Sequence, residues 1–530
     1  MSAVASAGAP PRAAGGVNPW FVALIVSLAT FMEVLDTTIA NVALRYIAGG
    51  LAIGPDEASY VVTTYLVANA VVLCASGWIS QAIGRRNFFL ICVVTFTVSS
   101  ILCGIAWDLQ SLLFFRILQG LAGGGMTPVA QSILATSFPP EKRGQAFALY
   151  GVAIVVAPVI GPTLGGWLSD NVSWHWCFLI NGPVGALCFV LVHLFVKEPE
   201  HETQERKQRW REGIIFDWVG FLLVASFLGC LEYCLDEGQR EDWFGSGTIR
   251  IFAAVSALSL VLFIPWELTR RKPVIDLSIL ASSHFASCFV IMLATGGILI
   301  ATTQFIPQLT QDYYGYTATL SGLALSPGGV VTAVMFIIVG RLVGRIPARW
   351  LIAAGGVIIA AAMYDVTNLN PDVTFGWFVW QRIYVGLGLP LIFLSITSVS
   401  YEGLPPAKTD QASALINVAR NTGGSIGVSI AQNVLAHRQQ FHQSRLVENI
   451  TPTDLQYQET LRQVTDYFSS IGGGAESGNQ AMAWIGQQVQ LQAGFLAYID
   501  VFWSLALMAA VIVPLAFLLR PSTGQAGAAH

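Results

Sequence analysis

The sequence predicts an all-α polytopic membrane protein, with two related six-helix bundles, two extra helices between them, and fourteen transmembrane helices in all. Three observations predict this. The 530-residue chain is 54% hydrophobic and only 11% charged, with a mean hydropathy of +0.62, whereas soluble chains carry about 25% charged residues. Apolar windows of about 20 residues bounded by charged loops recur along the whole length. Finally, residues 116–149 and 382–415 are related, with 12 of 34 positions identical, where ordinary composition gives roughly two or three.

From the N-terminus, residues 1–18 are rich in Ala, Gly and Pro and read as a disordered cytoplasmic tail. The first span, 19–44, is too long for a signal-peptide core and contains acids, so it is expected to remain uncleaved. Spans at 57–80, 88–107, 110–136, 145–168 and 175–196 complete an N-terminal bundle over 19–197. The segment 198–283 is a cytoplasmic linker with two additional spans, 214–235 and 247–266. The C-terminal bundle, 284–519, takes its spans at 284–307, 317–341, 348–366, 374–400, 411–436 and 494–519, before a tail at 520–530.

One long outer loop interrupts this pattern. Within 438–493, Leu461, Val464, Phe468 and Ile471 recur at helical spacing, as do Met482, Ile485 and Val489, with three glycines between the two sets. A helical hairpin outside the membrane is expected there, either lying on the bilayer surface or docking a partner. With the N-terminus inside, 18 lysines and arginines fall in cytoplasmic segments and six on the other side. That bias predicts both termini in the cytoplasm.

Other classes find little support. None of the five lysines follows a glycine, so no phosphate-binding loop is present. The eight cysteines all lie in apolar segments and read as small buried hydrophobes. No cluster of His, Asp or Cys gathers at one membrane face, which argues against an enzyme, and the net charge of −4 implies no nucleic-acid partner.

The chemistry is expected where charge is stranded in lipid. Glu33 and Asp36, three residues apart, share one face of the first span. Carboxylates at mid-membrane are costly, and two close together repel, so the pair is suited to taking up and releasing a proton. The alternative is an acid permanently neutralised by a buried arginine. Arg116 in span 4 is the candidate partner, a fixed positive charge that does not lose its proton, with Gln119 nearly one turn on. The second half offers Arg382, Arg420 and Asp500; Arg420 could pair with Asp500 or with a bound anion. Asn69, Gln304 and Gln308 could line a cavity or simply bond between helices. In span 5, Pro158, Gly161, Pro162, Gly165 and Gly166 describe a bent helix with a flat face for close packing.

These residues resemble a family. The run Leu35–Leu44 resembles the span-1 signature of the fourteen-span drug/proton antiporters of the major facilitator superfamily, and Arg116–Gly120 resembles that superfamily's span-4 motif. Ala157–Gly166 is similar to its antiporter motif, and Gly77–Arg86, with Arg85 and Arg86, to the hallmark loop between spans 2 and 3. That loop departs at one position, where Gln81 replaces the usual acid. The likeness covers about 18–520 and is strongest to the EmrB-type exporters. It implies a bacterial inner-membrane protein that exports hydrophobic drugs by alternating access, with Asp36, Glu33 and Arg116 in proton coupling. No cofactor is implied; the proton motive force drives transport. Small hydrophobic substrates, protons and the lipid bilayer are the implied partners, with a periplasmic membrane-fusion adaptor and an outer-membrane channel. A dedicated exporter of an endogenous metabolite or lipid is the alternative.

Overall fold

Backbone polar groups in lipid are satisfied either within a helix or around a closed barrel, and apolar runs of about 20 residues have the length for helices. The computed structural model describes residues 18–198, 203–204, 206, 216–270, 273–405, 408–448, 450–451, 453–472 and 476–519, and among these there is no strand. The expected tails and most of the linker after residue 198 lie outside the described residues.

The N-terminal half holds α1 (Pro19–Leu51), α2 (Pro55–Ile83), α3 (Arg85–Cys103), α4 (Leu109–Ser137) and α5 (Pro140–Asn171). Its last span is bent into α6 (Trp176–Leu179) and α7 (Asn181–Phe195). The two extra helices are α8 (Trp218–Glu237) and α9 (Gly247–Thr269). The C-terminal half holds α10 (Ser283–Tyr314), α11 (Ala318–Leu342), α12 (Ala348–Val366), α13 (Phe375–Val399), α14 (Thr409–Glu448), α15 (Leu455–Ser470) and α16 (Ser477–Ala516). Local chemistry sets several starts. Asn18 caps α1 through the Trp20 amide, with Pro19 at the first helical position, and Asp108 caps α4 through Ser111.

Twelve of the described helical stretches are long and apolar enough to cross a membrane, α6 and α7 together counting as one. The two remaining long helices inside the bundles, α4 and α14, bring the number to fourteen. They are the ones whose interiors carry polar groups, Arg116, Gln119 and Gln131 on α4 and Asn417, Arg420 and Asn421 on α14. Hydropathy marks down the helices that bear the chemistry.

Helix ends differ from the sequence expectation mainly on one side. The 40-residue α14 continues to Glu448, and α16, also 40 residues, begins at Ser477. At 1.5 Å per residue each is about 60 Å long, twice a hydrocarbon core of about 30 Å. An apolar window detects only the lipid-embedded part, whereas helical hydrogen bonding continues past it.

The packing follows the duplication. In the first half α1 lies on α5, and α4 lies on α2 and α3; in the second, α10 lies on α14 and α11 on α13. The halves meet through α5 against α11 and α2 against α14, while α8 leans on α2 and α14. Contact between halves is close at the end bearing Arg85, Lys142 and Lys408. There the Phe147 and Tyr401 rings stack at 5.7 Å, and Arg85 binds Asp410 in two-pronged fashion, at 2.7 and 3.2 Å.

Candidate functional site

Arg116 and Asp36 meet inside the first half. Arg116 Nη1 lies 2.7 Å from Asp36 Oδ2, and both side chains are fully excluded from solvent. Burying two charges is unfavourable unless every remaining donor and acceptor is used. Here nearly all are. Arg116 Nε donates to the Val61 carbonyl (2.9 Å) and Nη1 also to Gln119 Oε1 (2.9 Å), while the guanidinium carbon lies 4.4 Å from the Tyr65 ring centroid. Asp36 Oδ1 accepts from Gln119 Nε2 at 2.8 Å and Asn181 Nδ2 at 2.6 Å. The bend between α6 and α7 is what starts α7 at Asn181, whose amide also donates to Ser100. Gln119 thus lies on the same cluster as its sequence neighbour Arg116, as expected for one helix face.

Glu33, one turn before Asp36, is 7% exposed and has no cation against it. Its Oε2 accepts from the Thr127 hydroxyl at 2.7 Å and its Oε1, more distantly, from Asn69 Nδ2 at 3.4 Å. Asn69 continues across the boundary between halves, its Oδ1 accepting from Asn421 Nδ2 at 3.5 Å. Asn421 Oδ1 in turn accepts from Arg420 Nε at 3.2 Å. Of the two partners considered for Arg420, Asp500 is not one it meets. Asp500 binds Arg438 (2.6 Å) and His442 (2.7 Å), which the extension of α14 brings beside it, well removed from position 420.

The second half is built differently. Arg382 reaches two hydroxyls, Thr302 at 3.3 Å and Thr303 at 3.1 Å. Gln304 and Gln308 are exposed along one stripe of α10, separate from the Arg116 cluster. The span-5 motif packs on the helix of the acids: a side-chain carbon added at Gly161 would strike Thr38, and one at Gly165 would press on Ile39, while Gly166 faces Val42 loosely. The helix α5 is unbroken through Pro158 and Pro162, and the side chain of Pro162 lies outside the described residues.

At the hallmark loop, Arg85 and Arg86 part company. Arg86 donates to the His193 carbonyl at the end of α7 (2.7 Å). Arg85 crosses to the other half and binds Asp410, which also accepts from Ser132. Nearby, Gln131 Oε1 accepts from Asn417 Nδ2 (2.6 Å) and from Ser413 (3.2 Å), again joining the halves. Sequence reasoning missed Asn181, Thr127, Asn421 and Asp410, and also Glu232 on α8, which accepts from Ser425 of α14 at 2.5 Å. A lone Asn or Glu in an apolar run was the available signal for Asn181 and Glu232.

Outside the spans, Asp276 lies in the stretch between α9 and α10, where it pairs with Lys408 at 2.6 Å. Partial burial pushes its carboxyl up, but hydrogen bonds from Lys408 and Ser278 outweigh that and hold it below the usual carboxylate range.

The family model of the Major Facilitator Superfamily matches residues 26–428. The chain is 34% identical over 506 residues to the multidrug export protein EmrB of Escherichia coli K12, covering 95% of this chain and 96% of that protein. It is 33% identical over 520 residues to the fatty acid resistance protein FarB of Neisseria gonorrhoeae, covering 98% and 99%. Among solved structures, the proton:xylose symporter XylE superposes with a TM-score of 0.57 at 12% identity, over 94% of this chain and 96% of that one, a likeness of fold. Similarity of this extent places the chain among transporters rather than enzymes, as a member of the Major Facilitator Superfamily and, within it, of the EmrB-type export proteins.

Proposed function

We propose that the protein is a proton-coupled antiporter that exports hydrophobic drugs or toxic compounds across a bacterial inner membrane by alternating access. The observation that carries this reading is the pair of carboxylates one turn apart on α1, both buried, one against Arg116 and one held by neutral donors. An ionisable group in lipid is costly to keep and is retained where a charge must move. The two halves meet along α5 against α11 and α2 against α14 through apolar packing crossed by polar pairs such as Arg85–Asp410 and Gln131–Asn417, and rocking one half against the other would re-pair those side chains. In this reading the basic end faces the cytoplasm, and the helical hairpin formed by α15 and the start of α16 projects into the periplasm, where a membrane-fusion adaptor leading to an outer-membrane channel would dock.

The test is flux in proteoliposomes containing the purified protein. An imposed pH gradient drives ethidium movement, and a protonophore abolishes it. Ethidium movement indifferent to the gradient would defeat proton coupling. A second reading, export of an endogenous amphiphile, is favoured by the FarB likeness. Competition by a fatty acid stronger than that by ethidium or neutral dyes would select it.

A further inference from the structure

Resting on the proton-coupled reading, we propose that the exchangeable proton resides on Glu33, that Asp36 is a permanently ionised partner of Arg116, and that Arg420 in the opposite half senses the charge of Glu33 through Asn69 and Asn421.

Asp36 faces donors alone: Arg116 Nη1 on Oδ2, and Gln119 Nε2 with Asn181 Nδ2 on Oδ1. A proton placed on Asp36 would need an acceptor. The Gln119 carbonyl already accepts from Arg116, and the Ser100 hydroxyl beside Asn181 points its own proton at the Phe178 carbonyl, 2.9 Å away. Protonation would set O–H against N–H and leave the guanidinium, which is shut off from water, without its counter-charge.

Glu33 faces the reverse situation. Its near partner is the hydroxyl of Thr127 at 2.7 Å, and a hydroxyl both donates and accepts. Ionised, the carboxylate accepts from Thr127; neutral, it donates to the same oxygen. Both states are satisfied without moving a helix. The titratable and charged groups around Glu33 are Tyr65 of α2, Cys92 of α3, Tyr150 of α5, Arg420 of α14 and, on its own helix, Asp36. From α4 it meets the neutral Thr127, since Arg116 is taken up by Asp36. Among the described residues, Arg420 is therefore the cation that acts on its charge.

Arg420 forms no ion pair among the described residues, and its buried Nη1 has no hydrogen-bond partner there. Its link to Glu33 runs through two amides, Asn421 and Asn69, with bonds of 3.2, 3.5 and 3.4 Å. Loss of the proton breaks the Glu33 O–H bond, leaves the electron pair on the carboxylate, and passes the proton to water on whichever side the site opens. The new negative charge draws Arg420 toward the first half; protonation releases it. The ionisation state of α1 is thereby communicated to α14.

Infrared difference spectra of the full-length protein in lipid, recorded between acidic and neutral pH, test this directly. A protonated-carboxyl band present in acid should lose a component in Glu33→Gln, retain it in an Asp36→Asn/Arg116→Gln double variant, and shift it in Thr127→Val. Arg420→Gln should move the pH at which that component disappears, and Glu33→Asp should restore it. A spectrum unchanged by Glu33→Gln, or one whose component vanishes only when Asp36 is replaced, would overturn the proposal. In proteoliposomes, gradient-driven ethidium movement should fall to the empty-liposome rate in Glu33→Gln. Wild-type protein that ignores the gradient would instead refute the coupling on which the assignment rests, whatever the spectra show.

Discussion

Arg116 and Arg382 stand at the same place in the two repeats, yet one is locked to a carboxylate and the other leans on threonines. The offset of 266 residues that carries Arg116 onto Arg382 carries Asp36 onto Thr302, Glu33 onto Leu299 and Gln119 onto Val385. The duplicated scaffold has therefore kept its cation in both halves and its acids in one. Scaffold features are shared. Gly120 lies under the Tyr65 carbonyl of α2, and Gly386, its counterpart, lies under the Gly328 carbonyl of α11. Close helix approach is a demand of the fold and recurs; the buried carboxylates are a demand of function and do not.

The largest expected difference comes from breaking the two arginine sites in parallel. Asp36→Asn strands a buried guanidinium and should cost about 3–5 kcal/mol of stability. It should also stop dye export from energised cells, because α1 and α4 lose their ion pair, although the Glu33–Thr127 bond remains. Arg382→Gln removes two hydroxyl contacts and should cost about 1–3 kcal/mol. Thermal unfolding in detergent compares them, and equal losses would mean that the ion pair adds nothing beyond its hydrogen bonds. The glycines should behave alike. Gly120→Ala and Gly386→Ala each force a carbon against a backbone carbonyl and should cost about 1–3 kcal/mol. A large loss at one position alone would show that the repeats tolerate unequal helix spacing.

The smallest effect lies outside the repeats, at Asp276 and Lys408. Because the Asp276 carboxyl is held below its ordinary range, its contribution is present above the unfolded-state value and is lost as pH falls through the folded one. Exposure of Lys408 limits that contribution to below about 1 kcal/mol. Asp276→Asn should flatten the acid side of the stability profile slightly, as read by unfolding midpoints across pH.

Much of this was legible in the sequence. Apolar windows of about 20 residues located the helices because a run of that length satisfies its backbone in lipid as a helix, and Glu33, Asp36 and Arg116 stood out as charges in such windows. Asn181 and Thr127 did not, since uncharged polar groups are common in spans and their role depends on which helix they face. Asp410 was hidden among the charges of a helix start, although it brings to Arg85 a carboxylate in a loop where Gln81 replaces the usual acid. The suggested Arg420–Asp500 pair failed because α14 extends beyond its apolar stretch and delivers Arg438 and His442 to Asp500 first.

The added helix α8 holds Thr63 of α2 through Asp236 and Ser425 of α14 through Glu232. It thus grips one member of each half from the side. Any tilt of one half past the other must stretch or release one of these two clasps, which makes α8 a damper on the stroke as well as a filler of the bilayer.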